Sequence, residues 1–104
     1  MIVELRTYTL HPGKLGEFLS VYLPEPFELQ QKILGNLLGY YTTEAGTLNQ
    51  LVHLWGYESF EDRLRRRAEL MKQPVWQQYL PKGMACIQLQ ETKILLPTAF
   101  SPIK

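Results

Sequence analysis

Asn49-Gln-Leu-Val-His53-Leu-Trp55-Gly-Tyr57-Glu-Ser59-Phe-Glu-Asp62-Arg63-Leu-Arg-Arg-Arg67 is the stretch on which the reading of this chain turns. Its first residues alternate at period two, the pattern of a β-strand. Gln50, Val52, Leu54 and Gly56 share one face, and Leu51, His53, Trp55 and Tyr57 share the other. Ser59 followed by Asp62 matches a capping box, in which the hydroxyl accepts from a first-turn N–H while the acid reaches back. The helix it opens carries Phe60, Leu64, Ala68 and Met71 at spacings of three to four, which predicts them as its buried stripe.

Upstream, Leu37 to Glu44 is strand-like and Ala45-Gly46-Thr47 turns the chain, so the two strands form a hairpin. Before that, Lys14 to Leu34 has apolar residues close to helical spacing, interrupted by Pro24 and Pro26. Each proline lacks an N–H and crowds the preceding turn, so a break is expected there, with Pro26 near the start of a second helical piece and Gly35 as its C-terminal cap. Ile2 to Leu10 opens the chain as a strand, with Val3, Leu5 and Thr7 on one face and Glu4, Arg6 and Tyr8 on the other. Downstream, Pro74 starts a short helix with Val75, Trp76, Tyr79 and Leu80 on one side, ended by Pro81-Lys82-Gly83. Met84 to Leu96 is the last strand.

The order β-α-β-β-α-β is the split-βαβ, ferredoxin-like arrangement of the α+β class. Right-handed crossovers put the first and third strands at the centre of a four-stranded antiparallel sheet with the helices on one face. Residues 1–96 are read as a single domain and 97–104 as an extended tail.

At 104 residues the chain is long enough for one self-sufficient core. A net charge of +1 supplies no global field for nucleic acid, and none is expected as a partner. Arg63 to Arg67 is the only basic cluster, and Glu61 and Asp62 stand before Arg65 and Arg66 in the favourable orientation for helix ion pairs, as on a solvated or dimer-rim face. Cys86 is the single cysteine, which fits a reducing compartment. Charge at Glu4 and Arg6 falls where a signal peptide needs an apolar core, and no run approaches the ~20 residues of a membrane span. A soluble cytoplasmic protein without membrane insertion is expected. His11 and His53 are the only histidines and share no ligand spacing, so no metal is expected, and no cofactor either.

Two helices can cover only one face of such a sheet. If Val3, Leu5, Val52 and Leu54 face the helices, Tyr8, His53 and Trp55 face the other way as an aromatic patch, which marks an interface or binding site. A second copy packing sheet to sheet as an isologous dimer covers it, with a cavity lined by Glu4, Arg6, Tyr8, His53 and Trp55. Histidine has a reference pKa near neutrality, which makes His53 the candidate general base or acid, with Arg6 polarising an oxygen. The alternative for the same residues is a structural polar network without chemistry.

The residues Glu4-Leu-Arg-Thr-Tyr-Thr-Leu-His-Pro-Gly13, then Gly46 through Arg63 with Asn49, His53-Leu-Trp55, Tyr57 and Arg63, and finally Trp76 and Phe100-Ser-Pro102 resemble the NIPSNAP family. The resemblance covers nearly the whole chain and implies a dimeric α/β barrel, a homodimer or higher oligomer. Arg63 joins the candidate ligand-binding residues through it. Relatives by fold, including cofactor-independent monooxygenases, use the same cavity, which keeps an oxygenase or isomerase reading beside that of a ligand-binding or scaffolding domain.

Overall fold

The computed structural model describes all of residues 1–104. It contains β1 (Ile2–Leu10), α1 (Leu15–Tyr22), α2 (Glu25–Leu34), β2 (Asn36–Thr42), β3 (Gln50–Tyr57), α3 (Phe60–Met71), α4 (Pro74–Met84) and β4 (Ile87–Leu95). The strands form one sheet in the order β2-β3-β1-β4, with every neighbouring pair antiparallel. This is the expected ferredoxin-like fold, with each of the two helical layers split in two.

The splits follow from proline. α1 ends at Tyr22, Leu23 is extended, and Pro26 sits in the first turn of α2, where its missing N–H costs nothing. Gly35 ends α2 at φ +92°, and a Cβ there would lie 2.8 Å from Arg66 Nη1. That guanidinium donates to the Ile33 carbonyl at 3.0 Å, so the end of α2 is tied to α3. Ser59 caps α3 by accepting from the Asp62 N–H at 3.1 Å, and Asp62 returns the bond to the Glu58 N–H at 3.1 Å. α4 continues through the expected stop at Pro81-Lys82-Gly83 to Met84, and β4 starts later than expected, at Ile87.

Two expectations are overturned together. The sheet face that the helices cover carries Glu4, Arg6, Tyr8, His53, Trp55 and Tyr57, all buried within one chain, while Leu5, Thr7, Val52 and Leu54 on the opposite face are only half-buried. Likewise α3 exposes Phe60 (51%), Leu64 (62%) and Met71 (49%), and buries Asp62 and Leu70 instead. The two reversals have one cause. The charged side of α3 is the natural counterpart of the charged column of the sheet: the Arg63–Glu4 ion pair joins them, which leaves the apolar columns to face outwards.

Around the charged column the core is aromatic. Phe18 packs on Tyr22 with ring centroids 5.2 Å apart, Tyr22 on Tyr79 at 5.4 Å, and Tyr79 on Trp76 at 4.8 Å. A register shift between Leu37 and Gly39 turns Tyr40 onto the covered face opposite His53 and Tyr41 onto the open one. On the open face the residues after Leu95, without regular structure, cross beside Val3 and Leu54. They wall an apolar cleft of about 340 Å³ that also includes Leu38, Tyr41 and Ile103.

Candidate functional site

The polar column on β1 and β3 is a connected network. Glu4 Oε2 accepts from Arg63 Nη2 at 2.6 Å and from Arg6 Nη1 at 3.2 Å. Arg6 also donates from Nε and Nη2 to the Tyr8 hydroxyl, at 3.3 and 3.2 Å, and from Nη1 to Thr92 Oγ1 at 3.4 Å. Burial would raise the Glu4 pKa, but the Arg63 bond and the charges of Arg6, Arg63 and Arg67 outweigh it and hold the carboxyl below its ordinary value. Glu4 is therefore an anion under three guanidiniums. Arg67, one helical turn beyond Arg63, makes no hydrogen bond or ion pair, and burial together with repulsion from Arg6 lowers its pKa.

His53 is fully buried and stacks on Tyr40 with ring centroids 4.3 Å apart. Its Nδ1 accepts from Trp55 Nε1 at 2.7 Å. Indole only donates, so Nδ1 carries the lone pair and the proton of the neutral ring sits on Nε2, which has no protein partner. Burial, reinforced by Arg6, lowers the His53 pKa to about 3. At neutral pH the ring is thus an uncharged Nε2–H donor. Its basic nitrogen is already occupied.

A pocket of about 210 Å³ opens between the sheet and the α3–α4 pair. Its buried floor is Arg6, Tyr8, Gln30, Leu70, Trp76 and Tyr79, and its rim includes exposed Met71, Met84 and Gln90 with Arg67 half-buried at the side. Of the sequence-predicted ligand residues, only Arg6 and Tyr8 line it. Glu4, His53, Trp55 and Arg63 stand outside the lining: Glu4 is joined to Arg6 and Arg63 to Glu4, while His53 packs against Tyr8 and holds Trp55. The pocket expected on the open sheet face is not formed by these residues, because they all lie under the helices. The cleft that does exist there is apolar. Sequence reasoning missed Arg67 and Gln30. Arg67 was legible, since it lies four residues after Arg63 and shares its helix face. Gln30 carried no signal. No group of three or more His, Cys, Asp or Glu side chains gathers to hold a metal ion, and no helix is long and apolar enough to cross a membrane.

Residues 3–102 match the NIPSNAP family model. The chain belongs to the NIPSNAP family. It is 42% identical over 94 residues to a NipSnap homologue of Dictyostelium discoideum, covering 90% of this chain and 41% of that protein. To NipSnap homologue 3A of Homo sapiens it is 36% identical over 96 residues, covering 88% and 37%. The chain therefore spans about two fifths of the length of these curated relatives. A NIPSNAP family protein from Agrobacterium tumefaciens superposes with a TM-score of 0.95 at 44% identity, over 99% of this chain and 98% of that one. A second protein from that organism, described as a NIPSNAP family protein with unknown function, gives 0.94 at 42%, over 100% and 94%. An antibiotic biosynthesis monooxygenase at 13% identity and a TM-score of 0.58, over 97% and 100%, shares the fold alone.

Proposed function

We propose that this NIPSNAP domain binds a small anionic molecule in the pocket between its sheet and α3–α4, and does so as a homodimer. One observation carries the reading: the fixed charges at the pocket are guanidiniums in excess of carboxylates. Glu4 is bound to Arg63 and Arg6, which leaves Arg67 without a counter-charge beside the cavity. A pocket of about 210 Å³ lies below the roughly 300–1,000 Å³ of drug-sized sites, so the ligand is small. Calorimetric titration with benzoate and with inorganic phosphate tests it. Saturable binding that weakens as salt is raised and is lost in Arg67→Gln supports the reading, and heatless titrations with both sink it.

The dimer surface in this proposal is the open face of Leu5, Val52 and Leu54, in place of the His53–Trp55 face. Half-buried aliphatic residues there, extended by the apolar cleft under the C-terminal segment, favour sheet-to-sheet packing. The exposed Phe60, Leu64 and Met71 on α3 offer a second surface for a higher oligomer. The enzymatic alternative keeps Arg6 as the group that polarises an oxygen, but it needs a base other than His53, whose Nδ1 is engaged by Trp55. A cytoplasmic location is proposed on the free thiol of Cys86.

A further inference from the structure

We infer that the pocket takes an amphiphilic carboxylate head first, with the carboxylate on Arg6, Arg67, Tyr8 and Gln30 and the apolar tail leaving past Met71, Leu80 and Met84. This rests on the anion-binding reading above and adds the class of anion and its direction.

The donor inventory comes first. Arg6 uses Nε, both Nη1 hydrogens and one of the two on Nη2 in its four bonds to Tyr8, Glu4 and Thr92, which leaves one Nη2 hydrogen free. Tyr8 accepts both of its bonds from Arg6, so its hydroxyl hydrogen remains to be donated. Gln30 Oε1 accepts from the Tyr22 hydroxyl, and its Nε2 donors are uncommitted. Arg67 is unpaired. Arg6, Arg67, Tyr8 and the Gln30 amide thus each keep a free donor, and no acid lines the cavity. A cation finds no carboxylate there to donate to. A carboxylate, with about four lone-pair sites on two oxygens, matches four donor groups one for one. A phosphate monoester brings a further negative charge, which the site meets with Arg67 alone as an unpaired cation because Arg6 already serves Glu4.

Depth gives the direction. The buried part of the lining holds Arg6, Tyr8 and Gln30, whereas the most exposed lining residues, apart from Gln90, are Met71 and Met84, with half-buried Leu80 and Ile87 between them. A mainly apolar rim over a floor where Arg6, Tyr8 and Gln30 sit among Leu70, Trp76 and Tyr79 is the reverse of a site that swallows a tail and leaves its head in water. The flexible thioethers of the rim suit tails of differing shape. Trp76 stands in the floor with its indole as a reporter.

Titrating the full chain with octanoate while following tryptophan fluorescence tests the inference, with acetate, 1-octanol, octylamine, octyl phosphate and dodecanoate in parallel. Octanoate is expected to shift the emission, the shift being lost in Trp76→Phe. It should bind about tenfold or more tighter than acetate or octanol, since it alone combines charge with apolar contact. Dodecanoate should bind no more weakly than octanoate, because its extra length lies outside. Arg67→Gln should weaken octanoate about tenfold or more, and Arg67→Lys should restore part of it. Octylamine or octanol matching octanoate overturns the inference, as does exclusion of dodecanoate, which would mean a tail buried in the floor. Octyl phosphate binding about tenfold tighter than octanoate overturns the choice of carboxylate. If acetate, benzoate or phosphate bind but octanoate gains nothing over acetate, the amphiphile falls and the anion reading stands. If no anion binds, both fall.

Discussion

The two faces of this sheet reverse the usual arrangement. Glu4, Arg6, Tyr8, His53 and Trp55 are buried beneath helices, while Leu5, Val52 and Leu54 look outwards, half-buried. The difference teaches that amphipathic alternation reports that two faces differ, without saying which one the helices cover. Charge can go inside when a facing helix brings the matching charge, as α3 does with Arg63 and Arg67. The apolar column is then left for another surface. The cost of burying ions is offset only where they are paired and hydrogen-bonded, so the covered face should be brittle and the open face tolerant.

The largest effect should come from the covered face. Glu4→Leu leaves Arg6, Arg63 and Arg67 without a carboxylate between them and should cost about 3–5 kcal/mol in urea unfolding, close to the whole stability of a small domain. A loss below about 1 kcal/mol would mean that the three cations find solvent instead. On the open face, Leu54→Lys should leave the thermal transition near that of the native chain while shifting the sedimentation of the proposed dimer to that of a monomer. An unfolded Leu54→Lys would show that this face is core.

Acid should act through the same covered column. His53 has its pKa lowered from 6.5 to about 3 on folding, so its contribution is present above 6.5 and is lost as pH falls towards 3, where the unfolded chain binds a proton that the native chain refuses. Glu4, also lowered, loses its contribution in the same direction below the ordinary carboxylate range. Stability between pH 6 and 4 should fall by about 1.4 kcal/mol per pH unit for the histidine alone. His53→Phe should flatten that part of the profile, and an unchanged slope would place the proton uptake elsewhere. Smallest of all, Trp55→Phe removes one donor and should cost about 1–2 kcal/mol by thermal unfolding. Its second consequence separates it from simple loss of packing: freed of the indole, Nδ1 of His53 becomes able to accept a proton, and the ring should titrate at a higher pH than in the native chain.

Much of the architecture was legible because prolines, caps and period-two strands act locally. Pro24 and Pro26 split the first helical layer, Ser59 caps α3 through Asp62, and the order of strands follows from handed crossovers. The grouping of Glu4, Arg6, Tyr8, His53 and Trp55 was legible too, since cross-strand neighbours are set by register: Arg6 pairs with His53 and Glu4 with Trp55. What faces that group was not. Phe60, Leu64, Ala68 and Met71 form as good a helical stripe as Asp62, Arg63, Arg66 and Arg67, and choosing between them takes the pairing of Glu4 with Arg63, 59 positions away. The pocket was hidden for the same reason. Gln30, Arg67 and Trp76 come from three helices that meet only once the fold is complete. The occupied Nδ1 of His53 depends on a side-chain rotamer that no spacing reveals.

The central claim is that the charged column is closed inside each chain, and nitrogen NMR of His53 tests it most directly. In ¹⁵N-histidine-labelled protein, with His11→Gln to simplify the spectrum, the ring should appear as the neutral Nε2–H tautomer at pH 7 and stay so down to about pH 4.5, at every protein concentration. A ring that titrates near 6.5, or that does so only after dilution separates the chains, would put His53 on an open face and contradict the account.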